Sequence, residues 1–176
     1  MKIAGVILAG GQSKRMGSDK SQLTIDNLTL LEHCQNILKN SNLKKVYISG
    51  KQGIKDRYKN IGPIGGISTC LLELKNYDYV VFMPVDMPFL TNKTINQLIL
   101  NQGHSVVNFE KYNLPVMIKN SSVNRKVLKA QIMNNKLSLY QLFENLQRKV
   151  IKNKFNKHEF ANINLPKQWQ EALNKF

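Results

Sequence analysis

The sequence predicts an α/β fold, a three-layer sandwich in which helices cover both faces of a mostly parallel sheet. Short apolar runs alternate with segments of helical periodicity along the 176 residues. Strands separated by helices need crossover connections, which favour parallel pairing and helices on both faces. No Pro/Gly/Ser-rich linker, internal repeat or low-complexity block interrupts the chain. Residues 1–176 are therefore read as a single domain, of a length that suits one core. In such sheets ligands bind beyond the carboxyl ends of the strands.

Ile3 to Leu8 is an apolar run of strand length. Leu30, Leu31, Cys34, Ile37 and Leu38 recur at helical spacing. Val46 to Ile48 is a second strand, and Ile64 to Leu74 a helix reached through the Gly62-Pro63 turn. Tyr79 to Val85 is a third strand. Thr91 can cap a helix running through Leu100, and Ser105 to Phe109 reads as a further strand. The second half is less regular. Val123 to Ile132 and Leu137 to Leu146 have helical patterns, while Val150-Ile151 and Phe160 to Ile163 are short strand candidates. Pro166 to Leu173 is a closing helix with Pro in its first turn.

Composition narrows the function classes. No apolar run approaches the roughly 20 residues of a membrane span. The short apolar start is followed by a charged loop rather than a cleavage site, so it is read as a strand and not as a secretion signal. Cys34 and Cys70 are the only cysteines and have no metal-ligand spacing. Buried, reduced thiols fit a cytoplasmic protein. His33, His104 and His158 are scattered and are assigned to no metal. The formal net charge of +15 attracts nucleic acids, acidic membranes and phosphorylated small molecules alike. Aromatic residues, 8% of the chain, are not interleaved with basic clusters, which favours a solvated basic surface over a nucleic-acid groove.

The stretch LAGGQSKRMGSDK, Leu8 to Lys20, leaves the first strand with Gly10, Gly11 and Gly17. A phosphate-wrapping loop needs close backbone approach, free N–H groups and positive charge. Ser13 adds a hydroxyl, Arg15 a planar fork for phosphate oxygens, and Lys20 a point charge. Lys14 can join them or face water. Neither GxxxxGK[ST] nor GxGxxG is present. On composition alone, a basic surface loop remains open. Asp86 directly follows YVVFMPV and reaches the edge of the sheet where this loop begins.

LAGGQSKRMGSDK resembles the LAGG-x-S-x-R-M-G-x-D-K motif of the molybdenum cofactor guanylyltransferase family. Asn60 to Ile67 (NIGPIGGI) resembles that family's GPLAG segment, and Phe82 to Leu90 (FMPVDMPFL) resembles the segment with its metal-binding aspartate. Phe160 to Trp169 (FANINLPKQW) resembles its N-x-N-x-P element. The four stretches come in the family's order, and the region between Phe109 and Phe160 is weakly matched.

The resemblance implies a Rossmann-like, nucleotide-diphospho-sugar transferase-like fold. It implies transfer of GMP from GTP to molybdopterin with release of pyrophosphate, and Mg2+ as cofactor. Arg15, Lys20 and Asp86 would be the catalytic residues, with Asp86 the metal ligand. Nucleotide-binding positions would be Leu8, Ala9, Gly10, Gly11, Ser13, Lys20, Ser49, Asp56, Gly62 and Asp86. Gly65 and Gly66 would let a helix N-terminus come close. Asp56 would face the guanine edge, although an exposed loop carboxylate is the plain alternative. Ser49 stands where the family has an Asn. Asn162 and Asn164 would face the pterin, alternating onto one side of a strand. Leu114 replaces the family's His before Pro115. GTP and molybdopterin are the implied substrates. A molybdopterin-delivery protein and an acceptor apoenzyme are the implied protein partners, with no membrane and no nucleic acid.

Three alternatives stay open at this stage. A relative of the same fold could transfer CMP or build a sugar nucleotide. The chain could be a basic nucleic-acid-binding domain, which predicts steep salt dependence and no Mg2+-dependent nucleotide binding. It could also hold the cofactor without turnover, releasing no pyrophosphate.

Overall fold

The computed structural model describes residues 1–10, 23–25, 27–154 and 156–173. The order is β1 (Ile3–Leu8), β2 (Thr24–Ile25), β3 (Leu28–Thr29), α1 (Leu30–Lys39), β4 (Lys45–Ser49), α2 (Pro63–Glu73), β5 (Tyr79–Pro84) and α3 (Asn92–Leu100). It continues with β6 (Val106–Phe109), β7 (Val116–Lys119), α4 (Ser122–Met133), α5 (Leu139–Asn145) and β8 (Lys149–Ile151), then a 3-10 turn at Lys157–Phe160 and α6 (Pro166–Leu173).

Six strands form one sheet in the order β4-β1-β5-β7-β6-β8. All pair in parallel except β7, which runs antiparallel to β5 and β6. The mostly parallel, three-layer expectation is borne out. β1 and β5 are apolar on both sides because both faces are covered. Ile3 and Ile7 face the layer of α1 and α3, which Trp169 of α6 joins. Ala4 and Val6 face the layer of α2, α4 and α5. β5 alternates likewise, with Val81 and Met83 on the first side and Val80 and Phe82 on the other.

The helices start where their caps put them. Thr29 and Glu32 form a reciprocal capping box on α1, with Thr29 N–H donating to Glu32 at 2.8 Å and Glu32 N–H to Thr29 Oγ1 at 3.2 Å. Thr91 caps α3 by accepting from Thr94 N–H at 3.3 Å. Gly62 precedes α2 with φ of 73°, and Pro63 fills the first helical position.

Two differences from the sequence reading stand out. β7 was not foreseen, and Phe160 to Ile163 forms no ladder. Phe160 ends the 3-10 turn, and Ala161 is extended, with φ −71° and ψ 126°. Beyond it, Ile163 N–H donates to Asp86 O at 2.8 Å. The segment meets the loop that ends β5 instead of lying alongside a strand.

The chain passes from β1 through α1 to β4 on one side, then returns through α2 to β5 on the other. α1 and α2 lie on opposite faces. The order therefore reverses around β1, and a crevice opens there at the carboxyl edge.

Candidate functional site

The parallel register aligns Leu8 with Ser49 on one side and Pro84 on the other. The exits of β4, β1 and β5 thus share one edge. Ala9 N–H donates to Ser49 O at 2.9 Å, and Val85 N–H donates to Leu8 O at 3.2 Å. The backbone that leads into the glycine-rich loop is fixed on both sides up to Gly10. Gly50, with φ of +133°, crosses beneath it, and a side chain there would stand 3.1 Å from Ala9 C and Gly10 N. Only glycine combines that conformation with so close a crossing. Gly11, Ser13, Lys14, Arg15, Gly17, Asp19 and Lys20 lie outside the described residues.

Asp86 follows β5 on the same edge and is half-buried. Its loop is held from several directions. His33 of α1 brings Nε2 within 2.8 Å of Pro88 O. Cys34 Sγ lies 3.8 Å from Val85 O. Burial first, and the nearby Asp86 charge second, push the Cys34 thiol up to about 12. That thiol is therefore protonated at neutral pH and is no nucleophile. Asp86 is where the sequence reading puts it, on the edge where β1 ends.

Ser49 is buried, with 3% of its surface exposed, so its hydroxyl turns under α2 and not out to the crevice. Ser49 Oγ stands 2.9 Å from where a Gly66 Cβ would be, and Leu8 Cδ2 3.4 Å. Ser49 also hydrogen-bonds Cys70, which lowers that thiol somewhat, but burial dominates and carries it to about 11. Asp56 is exposed. Its Oδ1 accepts from Tyr58 N–H at 2.8 Å and from Thr69 Oγ1 at 3.2 Å. Its Oδ2 lies 2.9 Å from the place of a Gly65 Cβ. Gly65 and Gly66 thus let the first turn of α2 close on Asp56 and Ser49 at once. Gly62 is exposed just ahead of that turn.

Asn162 is exposed and Asn164 half-buried, while Ile163 between them is 3% exposed and belongs to the core. Burial alternates along this stretch as the sequence suggests, without the strand. Gln168 Oε1 accepts from Asn164 N–H at 2.7 Å and Leu165 N–H at 3.0 Å, which fixes the start of α6. The bond from Ile163 to Asp86 O joins this segment to the crevice.

Sequence reasoning missed Thr69 and also Glu159, whose carboxylate accepts from Thr91 Oγ1 and Thr94 Oγ1 at the start of α3. The signal for Thr69 was present. Gly65, Thr69 and Glu73 recur four residues apart on α2, hence on one face. Asp56 meets the first two, and Arg57 pairs with Glu73. No comparable spacing marks Glu159.

Comparison with known proteins bears on the family and the fold. The family model of the MobA-like NTP transferase domain matches residues 5–146. A molybdenum cofactor guanylyltransferase from Xanthomonas euvesicatoria pv. vesicatoria is 32% identical over 178 residues, covering 97% of this chain and 94% of that protein. Molybdopterin-guanine dinucleotide biosynthesis protein A from Archaeoglobus fulgidus superposes with a TM-score of 0.78 over 98% of this chain and 97% of its own, at 20% identity. A CMP:2-keto-3-deoxy-manno-octonic acid synthetase complexed with CTP gives 0.76 over 99% and 98%, at 11% identity. The two structural likenesses carry the nucleotide-diphospho-sugar transferase-like fold. Since the model match spans most of the sheet and the sequence relative aligns nearly end to end, the chain belongs to the MobA-like NTP transferase family of nucleotidyltransferases.

Proposed function

We propose that the protein transfers GMP from GTP to molybdopterin. A terminal phosphate oxygen of the pterin attacks the α-phosphorus of GTP. A new O–P bond forms, the bond from the α-phosphorus to the bridging oxygen breaks, and pyrophosphate leaves with that electron pair. Such a displacement depends on positioning and charge neutralisation more than on a covalent nucleophile. The observation that carries the reading is the contact between Val85 N–H and Leu8 O at 3.2 Å, which brings the start of the glycine-rich loop and Asp86 onto one edge. The 32% identical guanylyltransferase relative supports the choice of reaction.

Each residue then has a role. Leu8, Ala9 and Gly10 line the triphosphate with backbone, Gly11 and Ser13 extend that cradle, and Arg15 and Lys20 offset phosphate charge. Asp56 faces the guanine edge as an acceptor for N1–H and the 2-amino group. Ser49 supports the turn of α2 from below. Asn162 and Asn164 orient the pterin.

The donor set suits Mg2+. Among the described residues no group of three or more His, Cys, Asp or Glu side chains could enclose a metal. A hard ion that takes one carboxylate and completes its shell with phosphate oxygens and water needs no such group. Asp86 would hold it. When bound, the ion neutralises charge on the phosphates. No helix among the described residues is long and apolar enough to cross a membrane. Buried Cys34 and Cys70, both free thiols, support a cytoplasmic setting.

The test is pyrophosphate release from GTP with molybdopterin and Mg2+. Asp86→Ala should keep its fold and lose at least about a hundredfold in turnover. Near-normal turnover by that variant in excess Mg2+ removes Asp86 from the reaction. Running CTP beside GTP decides the base, and release with CTP alone would reassign the substrate.

A further inference from the structure

We infer that Glu159 is a positioning residue for the acceptor half of the reaction, by fastening the 3-10 turn to α3 so that the Asn162–Asn164 segment lies across the Asp86 loop. The inference rests on the reading of Asn162 and Asn164 as the pterin side.

Glu159 and Phe160 are neighbours in the turn and grip two different bodies. Phe160 is buried, stacked on Tyr112 with ring centroids 4.3 Å apart and edge-on to Phe109 at 5.1 Å. That anchors the turn to the end of β6. Glu159 reaches the first turn of α3 instead. Its Oε2 accepts from Thr91 Oγ1 at 3.1 Å and also from Thr94 Oγ1. A carboxylate suits this place for two reasons. A helix N-terminus favours negative charge, and charge-assisted bonds from hydroxyls are stronger than neutral ones.

Three residues on from Phe160, Ile163 N–H donates to Asp86 O at 2.8 Å. The turn is thus held from two sides, and the next backbone tether is to the residue proposed to hold the ion. Asn162 and Asn164 flank that tether, so their positions relative to Asp86 depend on how firmly the turn is held. A small misplacement of a substrate-positioning group can cost about a hundredfold in rate. Glu159 itself touches neither substrate in this arrangement and acts through Ile163 and the two asparagines.

The test combines exchange and kinetics on the full chain. Glu159→Ala should speed hydrogen exchange of the Ile163 amide by about tenfold or more as the local opening becomes easier. It should raise the KM for molybdopterin by about tenfold, and leave the Kd of Mg2+–GTP within about twofold. Glu159→Gln retains an acceptor but not the charge and should recover part of both effects. Thr94→Val removes one donor at nearly constant shape, and is read in the same way if Glu159→Ala does not fold. Ile163 protection unchanged in the variants that fold overturns the inference. So does lost protection with an unaltered molybdopterin KM, or a loss of GTP affinity parallel to that of the pterin. If the wild-type chain protects Ile163 through Glu159 but transfers GMP to no pterin, the proposed function fails while the fastening stands as architecture only.

Discussion

At the scale of single residues, the crevice is shaped by side chains that are missing. A methyl group on Gly66 would meet Ser49 Oγ at 2.9 Å and Leu8 Cδ2 at 3.4 Å. The hydroxyl would have to turn away and give up its bond to Cys70. Alanine is intrinsically better than glycine in a helix by about 1 kcal/mol, but overpacking a tight contact costs about 1–3 kcal/mol. The clash offsets that gain and more, so Gly66→Ala should destabilise the protein by up to about 2 kcal/mol in urea melts. A double-mutant cycle with Ser49→Ala should give a coupling of about 1 kcal/mol, and a coupling near zero would show that the two positions do not press on each other. The sequence made Asp86 legible because a carboxylate right after a fully apolar strand must emerge at the sheet edge. The orientation of Ser49 was not legible. Its residue type allows a nucleotide contact, and only the approach of α2 turns it under the helix.

At the scale of elements, helices and parallel strands were readable because their periodicities are sustained. Short pieces were not. β7 is four residues long and follows Pro115, in a stretch whose apolar run, Val116 to Ile118, is too brief to separate strand from loop. The β2–β3 hairpin has two residues per strand, too few for an alternation to be read from the sequence. The close of β7 shows what holds these elements together. Asn120 N–H donates to Asp78 O at 2.8 Å, and its Nδ2 donates to Leu74 O at 2.8 Å. Arg125 Nη1 donates to both Asn120 O and Oδ1 at 2.8 Å. One buried residue thus joins, through backbone and side chain together, the end of α2, the approach to β5 and the first turns of α4. Because β7 is antiparallel, this junction lies on the edge opposite the crevice. Asn120→Ala should therefore cost about 2 kcal/mol through two lost side-chain bonds, one of them from a charged donor. Turnover should be unchanged at temperatures where the variant is folded. A drop in kcat/KM larger than the folded fraction explains would mean that the two edges are coupled.

At the scale of the whole molecule, the formal charge of +15 matches the polyanionic substrates of the proposed reaction. The parallel strands β6 and β8 deliver exposed Lys111, Lys152 and Lys154 just past their ends, on the edge where Asp86 lies. Lys44 and Lys45 sit at the start of β4, on the opposite edge. If charge acts by steering, position decides its effect, because the Debye length at 0.1 M salt is about 10 Å. Reversing Lys152 and Lys154 to Glu should lower kcat/KM several-fold at low salt and leave kcat nearly intact. Reversing Lys44 and Lys45 should do much less. By about 0.3 M salt the two doubles and the wild type should converge, since screening removes what distinguishes them. Equal losses for both pairs would reduce the charge to a general property of the surface. Tight binding of single- or double-stranded nucleic acid with a steep salt slope, and no such difference between the edges, would instead favour the nucleic-acid reading that the composition alone leaves open.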